Sequence, residues 1–472
     1  MSGLFSTLGS SVKALTAHSR AIEVAGKNIA NVNNTSYARQ RVLYGDRGTV
    51  VTAEGAQSLG IEALGVQQLR DTLLDRQVMR EVALRSGYES EQRALIRAEA
   101  SLGQSINRTG ELTASGSNAS TGGLSAALDD TFNAFQSFAA SPTDVGERQT
   151  LLQKALILTD TLQQTDLRLE QVQQDLDTEI EADVSTINRL LQTIADLNGQ
   201  IGRVEIGNPG SAIDLRDQRQ ARLEELAAKL PVEVRESTDG QLDVYMRDTS
   251  NAEVLLVDLT AVTGPVALTG TGLTGGASAA TLSLGSGSVH GALTARDGAV
   301  QDLRDNLDRL ARQIVESVNS VYNPTNAPTG NFFDPAGLTA GTIALSSSLT
   351  VTSLRAGTGA AGDNSIALAV ADLAHKKFAV ASSDHIDGTF SQFLSTTVSE
   401  LGQAVSSAKG RVEDQTGIAA LIRNQRDTIS GVSLDEEMAD LVRFQRAFQA
   451  SSRVFSIIDE LLNNVVNGLG RG

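Results

Sequence analysis

Between Glu147 and Val204 the chain has no proline and, before Gly199, no glycine, while Leu158, Leu162, Leu169, Val172 and Leu176 keep helical spacing. At 1.5 Å per residue a helix of this extent is about 85 Å long. Around Leu176, Ile180, Val184 and Ile187 the apolar steps run four, four, three, a stutter that locally relaxes a left-handed supercoil. Such a helix belongs to a rod or a bundle. The turn Asn208, Pro209, Gly210 ends it, and a shorter helix over 213–230 returns as far as Pro231.

After Pro231 the period changes. Val232 and Val234, then Leu242, Val244 and Met246, alternate across an Asp239–Gly240 turn, which predicts a β-hairpin. Further strand-like pieces at 254–257, 266–268 and 282–284 make 232–290 a small β-rich domain. Helical spacing resumes through Val300, Leu303, Leu307, Leu310, Ile314 and Val321, and a loop with short strands is expected over 331–362. The fold class is mainly α with a smaller β domain, elongated and multidomain. The expected units are a terminal coiled-coil domain (1–60 with 430–472), a helical bundle (61–231 with 291–330 and 363–429), the β-rich domain and the loop. Within these, Gly45–Gly65 reads as a glycine-punctuated segment, and Val66, Leu69 and Leu73 open a helix reaching about Leu102.

Both ends carry heptad seams. Phe5, Leu8, Val12, Leu15, Ser19, Ile22, Gly26 and Ile29 are spaced by alternating threes and fours, as are Leu441, Phe444, Phe448, Ser451, Phe455, Ile458, Leu462 and Val465. Ser433 with Glu436 reads as a capping box opening the last helix. Residues 1–50 hold Lys13, Arg20, Lys27, Arg39, Arg41 and Arg47 against only Glu23 and Asp46, whereas 433–472 lean acidic, as pairing partners would. Periodicity alone does not separate an intramolecular bundle from assembly between chains.

The 472 residues include no cysteine and no tryptophan, which excludes disulfides, thiolate metal sites and a cysteine nucleophile. A formal charge of −17 argues against nucleic acid as a partner. Residues 1–20 lack the continuous apolar core of a cleavable secretory signal, and no stretch is apolar enough for membrane insertion. His18, His290, His375 and His385 stand far apart with no metal-ligand pairing, and Gly270, Gly272 and Gly275 lack the helix a dinucleotide loop needs. Neither a cofactor nor a catalytic constellation is expected, so the chain reads as a non-enzyme.

The residues resemble one family. Residues 28–40 (NIANVNNTSYARQ) are similar to the signature shared by flagellar rod, hook and junction proteins, with Asn28, Ala30, Asn31, Asn33, Tyr37, Arg39 and Gln40 at matching positions. Asn34, Thr35 and Ser36 stand where a Thr-Pro-Gly turn is usual. At the other end Ser430, Gly431, Leu434, Glu436 and Glu437 of SGVSLDEE, then Gln445, Gln449 and Ala450 of FQRAFQA, resemble the terminal helix of the flagellar hook-associated protein 1 family. DLRDQR (214–219) and NFF (331–333) look like its internal landmarks, and the short stretch from Pro335 to Ile366 implies a reduced outer domain.

This resemblance implies an extracellular structural protein at the junction of bacterial hook and filament, exported unfolded through the flagellar export apparatus and assembling as a homo-oligomeric ring. It implies as partners the hook protein, a second junction protein on the filament side, and a cytosolic export chaperone that binds the C-terminal helix. A flagellar hook or distal rod protein shares the terminal signatures and stays open as an alternative.

Overall fold

The computed structural model describes residues 2–46, 49–52, 55–58, 60–102, 123–237, 239–270, 272–327, 329–359 and 362–469. Helix α1 (Ser2–Ala30) leads through a short turn into strand β1 (Gln40–Asp46), which pairs antiparallel with β4 (Ile61–Gln68), while β2 (Thr49–Thr52) pairs with β3 (Gly55–Ser58) further along the same arm. The glycine-punctuated segment is therefore a β arm, and Val66 lies in β4 instead of opening the next helix. A register shift at Leu43/Tyr44 breaks the period-2 alternation that would have revealed β1.

Helix α2 (Thr72–Ser101) starts at Asp71, whose carboxylate accepts from the Leu73 and Leu74 amides. Helix α3 (Leu124–Ala140) follows, then α4 (Val145–Glu205), a helix of 61 residues that buries Leu158, Leu162, Leu169, Leu176, Ile180 and Ile187. Asp144 caps it, accepting from the Gly146 amide at 2.7 Å. Helix α5 (Ile213–Lys229) folds back against α4.

The β-rich region comprises two small antiparallel sheets. One runs in the order β5 (Glu233–Glu236), β6 (Leu242–Arg247), β7 (Glu253–Asp258), β8 (Ala261–Val262). The other sets β10 (Gly272–Gly275) between β9 (Ala267–Thr269) and β11 (Ala280–Thr281). An Asp248–Leu282 bridge joins them. Helix α6 (Ser288–Ala295) runs through a π-helical turn, Arg296–Val300, into α7 (Gln301–Tyr322).

Residues 331–359 form coil with an isolated Phe333–Leu345 bridge in place of the expected short strands. Phe332 and Phe333 are fully buried there; Phe332 packs edge-on to Phe333 and Tyr322 and at a tilt to Phe135, and Asn331 accepts from Asn323 at 2.7 Å. After α8 (Ser365–Ala371) come α9 (Phe390–Ser430) and α10 (Leu434–Leu469). The sequence reading placed a capping box at Ser433, but the box in the structure opens α9, where Thr389 and Gln392 bond reciprocally. Glu436 is turned to Arg39 instead, at 2.7 Å. Helix α1 pairs with α10 and α9 packs along α2, so the terminal pair and the β arm form one unit and the remaining helices and sheets the body.

Candidate assembly site

The site is built where the end of α1, the 31–39 turn and the start of α10 meet. Asn28, 1% exposed, organises it. Its amide nitrogen donates to the Gln40 carbonyl and to Glu437, each at 2.9 Å, and its oxygen accepts from the Tyr37 hydroxyl at 2.8 Å and the Gln40 amide at 3.0 Å. All four hydrogen bonds an asparagine of this geometry needs are made. Burial, followed by the nearby Asp217, Asp214 and Glu437 carboxylates, holds the Tyr37 hydroxyl protonated well above its ordinary range, so it stays a donor.

Arg39 ties the two ends of the chain together. Its guanidinium reaches Glu436 and Glu437 at 2.7 Å each and its amide donates to the Ser430 carbonyl at 2.8 Å. Burial opposes its charge, but Glu437 and Glu436 outweigh that and raise its pKa. Buried Glu437 is thus bonded from both α1 and the turn. The opposite charge bias of the termini is realised in this contact.

Behind it lies a second layer. Arg70 donates to the Ser36 carbonyl at 2.9 Å, to Asp75 at 3.0 Å and to Asp217 at 2.6 Å, and Gln68 also donates to Asp217. Arg426 of α9 donates to the Thr35 carbonyl at 3.0 Å and to Glu224 at 2.6 Å, with Asp75 at 3.8 Å. Lys27 bonds Asp214 at 2.7 Å. The turn that carries Asn34, Thr35 and Ser36 is clamped by two arginines through backbone carbonyls, which bond whatever side chains stand there.

Of the signature residues, Asn28, Tyr37, Arg39, Gln40, Ser430, Glu436 and Glu437 converge here. Asn31 bonds back to the Lys27 carbonyl, the Gly431 amide closes on Asp427, and Ala30, Asn33, Leu434, Gln445, Gln449 and Ala450 are exposed away from the network. Sequence reading missed Arg70, Asp75, Glu224 and Arg426. Arg70 and Arg426 stand 34 and 391 positions from the turn carbonyls they hold, and the available signal was the charged DLRDQR run, whose Asp214 and Asp217 both reach the network.

The heptad seams are placed unequally. On α10 the seam faces α1: Ile458 is 6% exposed, Leu441, Phe444, Phe455 and Leu462 are half-buried, and Phe448 is 37% exposed. On α1 the chain buries a neighbouring stripe of small residues, Ser11, Ala17, Ala21, Val24, Ala25 and Asn28. Leu8, Leu15, Ile22 and Ile29 are partly buried and Val12 is 46% exposed; the Phe5 side chain lies outside the described residues. Small side chains let the helices approach closely, which leaves the bulkier seam turned outward.

Among the described residues no group of metal-ligating side chains gathers, and no helix is long and apolar enough to cross a membrane.

Residues 111–333 match the model described as flagellar hook-associated protein FlgK helical domain, and residues 423–468 match that described as flagellar basal body rod FlgEFG protein C-terminal. In these matches the chain is similar to the flagellar hook-associated protein 1 family. The flagellar hook-associated protein 1 of Bacillus subtilis is 26% identical over the whole of both chains, and that of Escherichia coli is 23% identical over 98% of this chain and 99% of its own. The Salmonella typhimurium relative is 24% identical over the same shares. The solved flagellar hook junction protein FlgK of Burkholderia pseudomallei aligns at 22% identity and a TM-score of 0.45, covering 55% of this chain and 46% of that one. The two family models divide the assembly site between them: Asp214 and Asp217 fall in the helical-domain match, Arg426, Ser430 and Glu437 in the C-terminal one.

Proposed function

We propose that this chain is a structural subunit joining the flagellar hook to the filament, and that its terminal helix pair is the assembling surface. The observation that carries this reading is the seam of α1, where one copy leaves Val12 46% exposed and Leu8, Leu15, Ile22 and Ile29 only partly buried. A second apolar stripe on α10, Val454, Ile457 and Leu461, is likewise exposed. Burying one such side chain against another copy contributes about 1.5–3 kcal/mol, so a ring of copies closing on both stripes gains a large association energy.

The same weakly buried helices suit export in an unfolded state through the flagellar export apparatus, with a cytosolic chaperone covering α10 before passage and the extracellular hook tip as the assembly site. The hook protein lies on one side of such a ring and a second junction protein on the filament side. The rod-type match over 423–468 taken alone suits a hook or distal rod subunit. The helical-domain match over 111–333, which contains α4, favours the junction.

Ile22→Asp and Phe448→Asp test the reading. Each is expected to leave the helical content of the purified protein unchanged by circular dichroism while cells carrying it show hooks without filaments in electron micrographs. Normal filaments on both variants would overturn it.

A further inference from the structure

The hydrophobic core stops between the terminal unit and the body. One cluster runs from Met79 through α3, α4, the sheets and α7 to Ala408. A separate small one consists of Ala21, Val24 and Val42, with Ala63, Val66 and Phe444 packed around it. What spans the gap is polar: Lys27 to Asp214, Gln68 and Arg70 to Asp217, Arg426 and Arg70 to the carbonyls of Thr35 and Ser36.

Buried polar atoms without a hydrogen-bond partner concentrate in the same place. Among the described residues they include Arg70 Nε, Asp75 Oδ1, Asp217 Oδ2, Ser430 Oγ and Glu437 Oε1, the last having only its ion contact with Arg39. Such atoms are rare in folded proteins because each carries an uncompensated desolvation cost. A cluster of them, three on carboxylates, marks a seat that is not fully satisfied while those carboxylates are charged.

We propose that the joint between terminal unit and body is a proton-linked latch, in which protonation of Asp217, with Asp75 behind it, tightens the seating of the terminal helices and deprotonation loosens it. The proton adds to a carboxylate oxygen that takes no side-chain hydrogen bond, removing the charge that burial penalises. The charged and titratable groups facing the pair are Tyr37 of the turn, Arg70 before α2, Asp214 and Glu224 of α5 and Arg426 of α9, with Lys27 of α1 beyond Asp214 and Glu437 of α10 and Arg39 beyond Tyr37. Arg70 keeps a carbonyl partner, Ser36, when Asp217 becomes neutral.

Burial, opposed by Arg70, pushes Asp217 up to about 6, and burial raises Asp75 as well. An acid whose pKa is higher in the docked state than in water takes up a proton on docking. Its contribution is full below the free value near 4 and is lost as pH rises through about 6. Within that window the docking equilibrium changes about tenfold per pH unit.

Hydrogen exchange of the full chain reads the latch, because the Arg39 amide bonds across it to the Ser430 carbonyl at the end of α9, at 2.8 Å. After correction for intrinsic rates, protection of this amide is expected to be about tenfold higher at pH 5 than at pH 7, with amides in the middle of α4 unchanged. Asp217→Asn is expected to hold the higher protection at both pH values. Asp75→Asn, which leaves Arg70 to Asp217 alone, is expected to shift the dependence to lower pH. Equal wild-type protection at the two values overturns the latch, as does a full tenfold dependence surviving in Asp217→Asn. The wild-type ratio decides without any variant should Asp217→Asn fail to fold.

Discussion

Asn28 makes four hydrogen bonds from a fully buried side chain, and no other side chain of its size offers two donors and two acceptor sites in that fork. Asn28→Ala leaves the Tyr37 hydroxyl and one Glu437 oxygen without their partner in a buried site, and the expected loss is about 2–4 kcal/mol, read from the denaturant midpoint. Asn28→Asp keeps the acceptors but sets a second carboxylate against Glu437 and removes the donor to it, so it is expected to be worse than Ala at neutral pH. A variant as stable as the parent would show that the fork is dispensable. Much of this first layer was legible, because Asn28, Tyr37, Arg39 and Gln40 stand within thirteen residues of one another. The second layer was not. Arg70, Asp75 and Arg426 are ordinary helix-surface residues by spacing, and only the tertiary crossing of α2, α5 and α9 brings them to the turn.

At the scale of elements, period decided what could be read. The unbroken 3.6 spacing of α4 made its extent and its buried face visible, since every turn repeats the same instruction. The β arm was hidden by its register shift, and the orientation of α1 by its having two apolar faces, one of alanines and one of larger side chains. Periodicity favours the bulky stripe. Close packing chose the small one.

The same rule governs the crossing of α2 and α6, where Gly87 meets Gly287 and Gly291 and the Gly287 amide donates to the Ala83 carbonyl at 2.9 Å. A Cβ on Gly291 is driven into the Gly87 carbonyl oxygen, so Gly291→Ala forces the helices apart at an expected cost of about 3 kcal/mol. Gly417 in α9 has open space on that side, and Gly417→Ala is expected to stabilise by about 0.5–1 kcal/mol through helix propensity. Thermal denaturation of the pair checks both signs at once. Equal and small shifts would mean that the α2–α6 crossing yields without cost.

For the whole molecule, the division into two cores makes stability uneven. The body buries a continuous cluster along α4 and α7, whereas among the described residues the terminal unit has a small cluster around Ala21, Val24 and Val42, a stripe of mostly small buried side chains and the polar joint. Local opening costs least where few apolar contacts hold an element, so the terminal unit should open well below the free energy of global unfolding. The α1 seam and the exposed α10 stripe strengthen this expectation, because their burial is deferred until copies meet. Brief proteolysis of the free chain is therefore expected to cut first in the turns 31–38 and 431–433, leaving a resistant body that contains α4 intact by mass spectrometry. The joint makes the order pH-dependent as well, with the same cuts slower near pH 5 once the protease's own pH dependence is measured on an unstructured peptide. First cleavage within α4, or trimming of body and termini at one common rate, would show that the two cores unfold as one.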